Sequence, residues 1–228
     1  MLLIIKNCDT MIFKDFLGNN MELNEGKYEI QNVPFFSQRL HKGNYREEGF
    51  STLKEAKYWS DRICGLACLK MILKAFRPEL DITLKQLLDK GLELEAYKER
   101  SGWIHQGLVN IAAFFNVRGS RESIGQDVEK VWMHLSKGRL IVPSVTVGFE
   151  AGKEYKQEDG SVYTMPRGGH LVVVFGAEVA EGKVEKFKLH HPSSLETYEW
   201  PDHEVNRSTF LNSFSERGNI IYFEGEKS

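Results

Sequence analysis

Three cysteines in 228 residues are too few and too unevenly placed for a disulfide framework. The count is odd, and Cys64 and Cys68 sit four residues apart in a helical pattern, which suits a reducing compartment. A basic excess is missing as well. The formal charge of −2 leaves little to neutralise phosphates, so no nucleic-acid partner is expected. No apolar run approaches the length of a membrane span. The opening Met1-Leu2-Leu3-Ile4-Ile5-Lys6-Asn7 is too short for a signal sequence and lacks a basic start. A cytoplasmic protein that does not engage a membrane is the expectation. Internal repeats, low-complexity tracts, Gly-rich phosphate loops and dinucleotide fingerprints are absent too, and no cofactor is expected.

What is present is the make-up of an ordinary globular chain, with 41% hydrophobic and 27% charged residues. Lys and Arg are scattered among Asp and Glu, as on a solvated surface. One domain over residues 33–228 is the simplest organisation. Residues 1–32 read as an N-terminal β extension whose apolar runs, Leu2–Ile5 and Tyr28–Ile30, could add strands to a sheet.

The middle of the chain is helical. Cys68, Leu69, Ile72 and Phe76 recur at helical spacing after Asp61, and Pro78 ends the run. Thr83 can cap a helix over 84–90 that Gly91 terminates. Leu108, Ile111, Ala112 and Phe115 mark a third helix closing near Gly119. Val128, Val131, Trp132 and Leu135 mark a fourth, closed by Gly138. Strands follow: 140–147, a polar loop over 150–167, then 170–179 and 184–190 joined by a turn at Glu181-Gly182-Lys183, and finally 220–223. Helices first and an antiparallel sheet second is an α+β layout.

Two positions carry chemistry. With Asp61 as the cap, Cys64 falls in the first turn of its helix. Unpaired backbone N–H groups and the helix dipole favour a thiolate there. Gly65 leaves room for a substrate backbone. Cys68, one turn deeper on the apolar face, reads as a buried, inert thiol. Far downstream, Gly168-Gly169-His170 opens the β-branched run Leu171-Val172-Val173-Val174. A thiol at a helix start and a histidine at a strand mouth are the two halves of a cysteine-nucleophile site.

The block Cys64-Gly65-Leu66-Ala67-Cys68-Leu69-Lys70-Met71-Ile72 resembles the nucleophile motif of the double-glycine (bacteriocin-leader) cysteine peptidases and their stand-alone relatives in the papain-like clan. The segment from Val33 to Gln38 resembles that family's opening strand, and Gly169-His170-Leu171-Val172 its histidine segment. The resemblance implies a papain-like cysteine-peptidase fold, its helical N-terminal half packed on an antiparallel β-sheet. It implies Cys64 as nucleophile, His170 as base and Gln38 as an oxyanion-hole donor, acting on a peptide or related amide. Where the family has Asp-Pro one strand after the histidine, this chain reads His190-His191-Pro192-Ser193. His191 thus takes the place of the carboxylate, as NlpC-type cell-wall peptidases similarly use a histidine. Gln38 also lies further upstream of Cys64 than in the best-known members, across a polar stretch from Gly43 to Lys57.

Three other readings stand beside hydrolysis. One is a catalytically inactive pseudopeptidase that binds peptides, and another is acyl transfer to an amine. The third, a metal site of Cys64, Cys68, His190 and His191, is disfavoured because adjacent strand residues point to opposite faces.

Overall fold

The computed structural model describes residues 10–14 and 20–225. The run Leu2–Ile5 and Cys8 lie outside the described residues. Strands β1 (Thr10–Lys14) and β2 (Asn20–Asn24) pair antiparallel, and β3 (Gly26–Glu29) pairs with a strand of the main sheet. Residues 33–41 then run without regular structure, so the expected opening strand at Val33–Gln38 is not one. The Val33 carbonyl goes to a histidine side chain (His190, 2.9 Å), and Pro34 has no N–H for a ladder.

Helix α1 (Leu53–Ser60) begins inside the polar stretch, where Thr52 accepts from Glu55 N–H. Helix α2 (Cys64–Phe76) is the core of this half, every residue from Gly65 to Leu73 being buried. Helix α3 (Leu84–Glu93) carries the expected Thr83 cap as a complete capping box with Gln86. It does not stop at Gly91. That glycine faces the Trp103 ring, where a Cβ would come within 2.5 Å, and Glu95 at φ 51° turns the chain instead. Short strands β4 (Tyr97–Lys98) and β5 (Gly102–Trp103) lead to α4 (His105–Phe114). Asn116 at φ 58° ends that helical stretch. The expected terminator Gly119 lies in β6 (Arg118–Ser123), packed against Phe223. Helix α5 (Glu129–Leu135) completes the helical part.

The strands are β7 (Leu140–Val145), an exposed pair β8 (Glu154–Lys156) and β9 (Val162–Thr164), then β10 (His170–Leu171), β11 (Val173–Ala180), β12 (Lys183–His191), β13 (Trp200–Asn206) and β14 (Asn219–Glu224). Helix α6 (Arg207–Ser213) lies between the last two. The main antiparallel sheet runs β13-β12-β11-β7-β14-β6, with β10 on β7 and β3 on β11. The expected strand over 170–179 is broken at Val172. His170 pairs with Val145, and Val173 starts a new ladder opposite His190. Glu181 and Gly182 both have positive φ, the geometry of the two-residue turn that joins twisted strands. The result is a mixed helix and sheet architecture with six helices among the described residues. α2 lies against the β10 end of the sheet.

Candidate active site

Ile63, not Asp61, is the N-cap residue of α2, and it offers no side-chain hydrogen bond. Asp61 instead closes α1, its N–H bonded to Trp59 O. The first N–H groups of α2 are thus left without a capping side chain. Cys64 is the first residue of this end, partly open to a cavity of about 240 Å³ that Gly169 and Leu171 also line. These two flank His170, so the cavity joins the start of α2 to strand β10. Cys68 is buried and its S–H donates to Leu171 O at 3.3 Å. Gly65 lets the same contact close, since a Cβ there would sit 3.1 Å from Leu171 Cδ1.

Burial pushes the Cys64 thiol up, although the backbone amides of Leu171, Gly65 and Cys64 itself pull it down. A depressed pKa was the expectation from the helix start. Here burial outweighs the amides, and among the described residues no charged side chain is set on the sulfur. Cys68 is raised further, by burial and by the Cys64 charge.

His170 is buried, and its Nε2 has no hydrogen-bond partner. Burial, then the neighbouring His191, hold its pKa well below the usual histidine value, while a backbone hydrogen bond to Pro192 opposes them. Proline has no N–H, so the Pro192 group is its carbonyl, accepting from the ring.

His191 is beside His170, but not as an in-plane acceptor. The two rings stack at 4.4 Å between centroids and 24° between planes. Nε2 of His191 accepts from Gly148 N–H at 3.2 Å, so the proton of the neutral ring is on Nδ1. The expected hydrogen bond from His170 Nδ1 to His191 is therefore replaced by a face-to-face contact. Trp200 and Phe149 pack on the other sides of His191 at 5.1 and 6.0 Å. Burial lowers its pKa to about 4. His190 points the opposite way, with Nε2–H on Val33 O and Nδ1 accepting from Asp202 N–H at 3.1 Å. Among the described residues no three His, Cys, Asp or Glu side chains gather as a metal would require.

Gln38 is buried at the approach to α2. Its Nε2 donates to Ser60 O at 2.8 Å, and its Oε1 is buried without a partner. Ser60 Oγ donates to Gln38 O at 3.2 Å and accepts from Leu40 N–H at 3.0 Å. Beside it, Arg39 pairs with Glu199 at 2.7 Å, tying this segment to the loop after His191. The sequence gives no signal for Ser60, Gly148 or the Pro192 carbonyl, whose roles are long-range. His105 also lines the cavity next to Cys64.

No protein-family model matches the sequence, and no curated protein matches it. Solved structures do. One described as a C39-like peptidase from Bacillus anthracis superposes with a TM-score of 0.55 at 16% identity, over 90% of this chain and 100% of that one. The peptidase domain of Streptococcus ComA, a bifunctional ABC transporter of a quorum-sensing pathway, aligns at 0.47 and 13% identity, over 72% and 93%. A double glycine motif protease from an AMS/PCAT transporter, in complex with the leader peptide, aligns at 0.42 and 16%, over 72% and 84%. The first of these fixes the architecture. The chain has the fold of a C39-like peptidase, the papain-like arrangement expected from its sequence. Among the described residues no helix is long and apolar enough to cross a membrane.

Proposed function

We propose that residues 33–228 form a cysteine hydrolase acting on a peptide or related amide, preceded by a β extension over 1–32. In this reading Cys64 attacks the substrate carbonyl as its S–H proton passes to the His170 ring. The negative charge on the carbonyl oxygen is met by the N–H of Cys64 and by Gln38. Collapse breaks the C–N bond, and His170 delivers the proton to the leaving amine. Water then attacks the thioester with His170 as base, releasing the acid and restoring the thiol. His191 positions His170 by stacking, and takes no proton itself.

The observation that carries this reading is the cavity at the uncapped start of α2, where Cys64 shares the wall with the two neighbours of His170. His170 itself is buried between those two neighbours, with its Nε2 unpartnered. Uncapped N–H groups at the same end suit a developing oxyanion. Incubation with a mixture of synthetic peptides, with products read by mass spectrometry, tests it. Cleavage by the parent that is lost in Cys64→Ala is expected. Unchanged cleavage in that variant would remove Cys64 from the mechanism.

A second reading is favoured by one feature. Among the described residues no carboxylate stands on His170, so the imidazolium formed during attack lacks a counter-ion. A peptide-binding module that has lost catalysis would fit that pair. A parent that retains peptides without cutting them, as does Cys64→Ala, would establish it.

A further inference from the structure

The cavity beside Cys64 contains a carboxylate that nothing else in the described residues uses. Asp61 lines it at the end of α1, and no hydrogen bond or ion pair reaches its side chain among the described residues. Arg62 lines the same space but is turned away. Its guanidinium donates to Tyr58 O at 2.7 Å and lies 4.2 Å from the Tyr58 ring centre.

Two aromatic rings line the same cavity. Tyr97 and Trp103 meet at 5.2 Å between centroids, and Trp103 is fixed by its Nε1–H bond to Arg62 O at 2.7 Å. His105 also lines it, and burial, then Arg121, lower its pKa. At about 240 Å³ the cavity lies below the range of roughly 300–1,000 Å³ usual for whole small molecules, so it suits one side chain.

We infer that this cavity takes a positively charged substrate residue, a lysine or arginine, with Asp61 as counter-ion and Tyr97 and Trp103 against its methylene stem. The inference rests on Cys64 as the nucleophile and adds a substrate preference to it. Aromatic faces attract cations and cover apolar stems. An acidic residue would face Asp61 directly, and like charge disfavours it. Asp61 stands at the rim and not in a dry interior. Its preference is therefore modest, about three- to tenfold between a cationic side chain and a neutral one of equal length.

Protection of Cys64 measures this without requiring turnover. The full chain is treated with methyl methanethiosulfonate, a small neutral thiol reagent, and modification at Cys64 is followed by mass spectrometry. Nα-acetyl-lysine amide, Nα-acetyl-norleucine amide and Nα-acetyl-glutamate amide are added as competitors. The lysine compound should protect at about three- to tenfold lower concentration than norleucine, with the glutamate compound weakest. Asp61→Asn, which keeps the size of the side chain, should erase the difference between lysine and norleucine. Equal protection by those two in the parent, or a lysine preference that survives Asp61→Asn, would overturn the inference. Peptide cleavage is assayed separately. If no peptide is cut while Asp61-dependent protection persists, the hydrolase reading fails and the cationic pocket stands.

Discussion

The imidazole rings of His170 and His191 lie face to face, 4.4 Å between centroids, with the Gly148 N–H holding the lower ring by its Nε2. A stack fixes the tilt of a ring without claiming either of its nitrogens. His170 is thus left with Nε2 unpartnered and the Pro192 carbonyl on the ring. If His191 acts as a platform, an aromatic ring without titratable nitrogens should replace it. His191→Phe is expected to keep kcat within about threefold of the parent, and His191→Ala to lower it tenfold or more with KM little changed, because an untethered base loses its attack geometry. Steady-state kinetics on any cleaved peptide decide it, and equal rates for Ala and parent would make the stack incidental.

The same burial makes stability depend on pH. His191 is fully buried, and its pKa is depressed to about 4 against roughly 6.5 in an unfolded chain. The unfolded state therefore binds a proton first as pH falls. The contribution is complete above the unfolded value, is lost progressively below it, and stops changing below the folded value. At its fullest it is worth about 3 kcal/mol. His170 adds in the same direction. Denaturant unfolding should show stability falling between about pH 6.5 and 4. His191→Gln, which keeps an acceptor for Gly148 N–H but cannot protonate, should flatten that fall. A parallel loss in both proteins would place the titration elsewhere.

Cys64 and His170 are shifted in opposite senses, the thiol upward and the imidazole downward. Both shifts favour the uncharged pair, so a thiol and a neutral imidazole are the expected resting state, unlike a preformed thiolate–imidazolium. The ultraviolet absorbance of thiolate, taken as the difference between parent and Cys64→Ser, should be absent at neutral pH. It should rise only above the ordinary cysteine range near 8.5. Thiolate signal at pH 6 would mean that an ion pair forms after all. Cys68→Ala should leave turnover intact and cost about 1 kcal/mol or somewhat more, as trimming a small buried side chain does.

What could be read in advance was local. The apolar spacing of α2, the Thr83 capping box and the turn at Glu181-Gly182 each carry their own signal within a few residues. β6 and β13 did not, because both are polar, largely exposed edge strands with no clean alternation. α1 was hidden in a charged stretch. Asp61 was misread as a cap because nothing in sequence separates one helix's end from the next one's start three residues later. Around Cys64, side-chain orientations were not legible. That His191 stacks on His170 and takes no hydrogen bond from it follows from Gly148, Trp200 and the bulge between Leu189 and His191, all of them long-range features.

Gln38 depends on Ser60 in a way that separates position from chemistry. Without a strand to carry it, the segment holding Gln38 is anchored by the Ser60 carbonyl on its amide and by the Ser60 hydroxyl on the backbone at both Gln38 and Leu40. One N–H of the Gln38 amide is thereby tethered, and in the proposed hydrolase the other meets the oxyanion. Gln38→Ala removes the donor, which typically costs about a hundredfold in kcat with little change in KM. Ser60→Ala keeps the donor but strands the buried Leu40 N–H. It should destabilise by about 1–3 kcal/mol and lower kcat by less than Gln38→Ala does. In the double variant the serine change should add almost nothing further to the kcat loss, since its effect on turnover passes through Gln38. Denaturant titrations alongside kinetics at a temperature where both proteins remain folded give the two quantities separately. A Ser60→Ala enzyme with full kcat and reduced stability would limit Ser60 to structure, and kcat losses that multiply independently would uncouple it from Gln38.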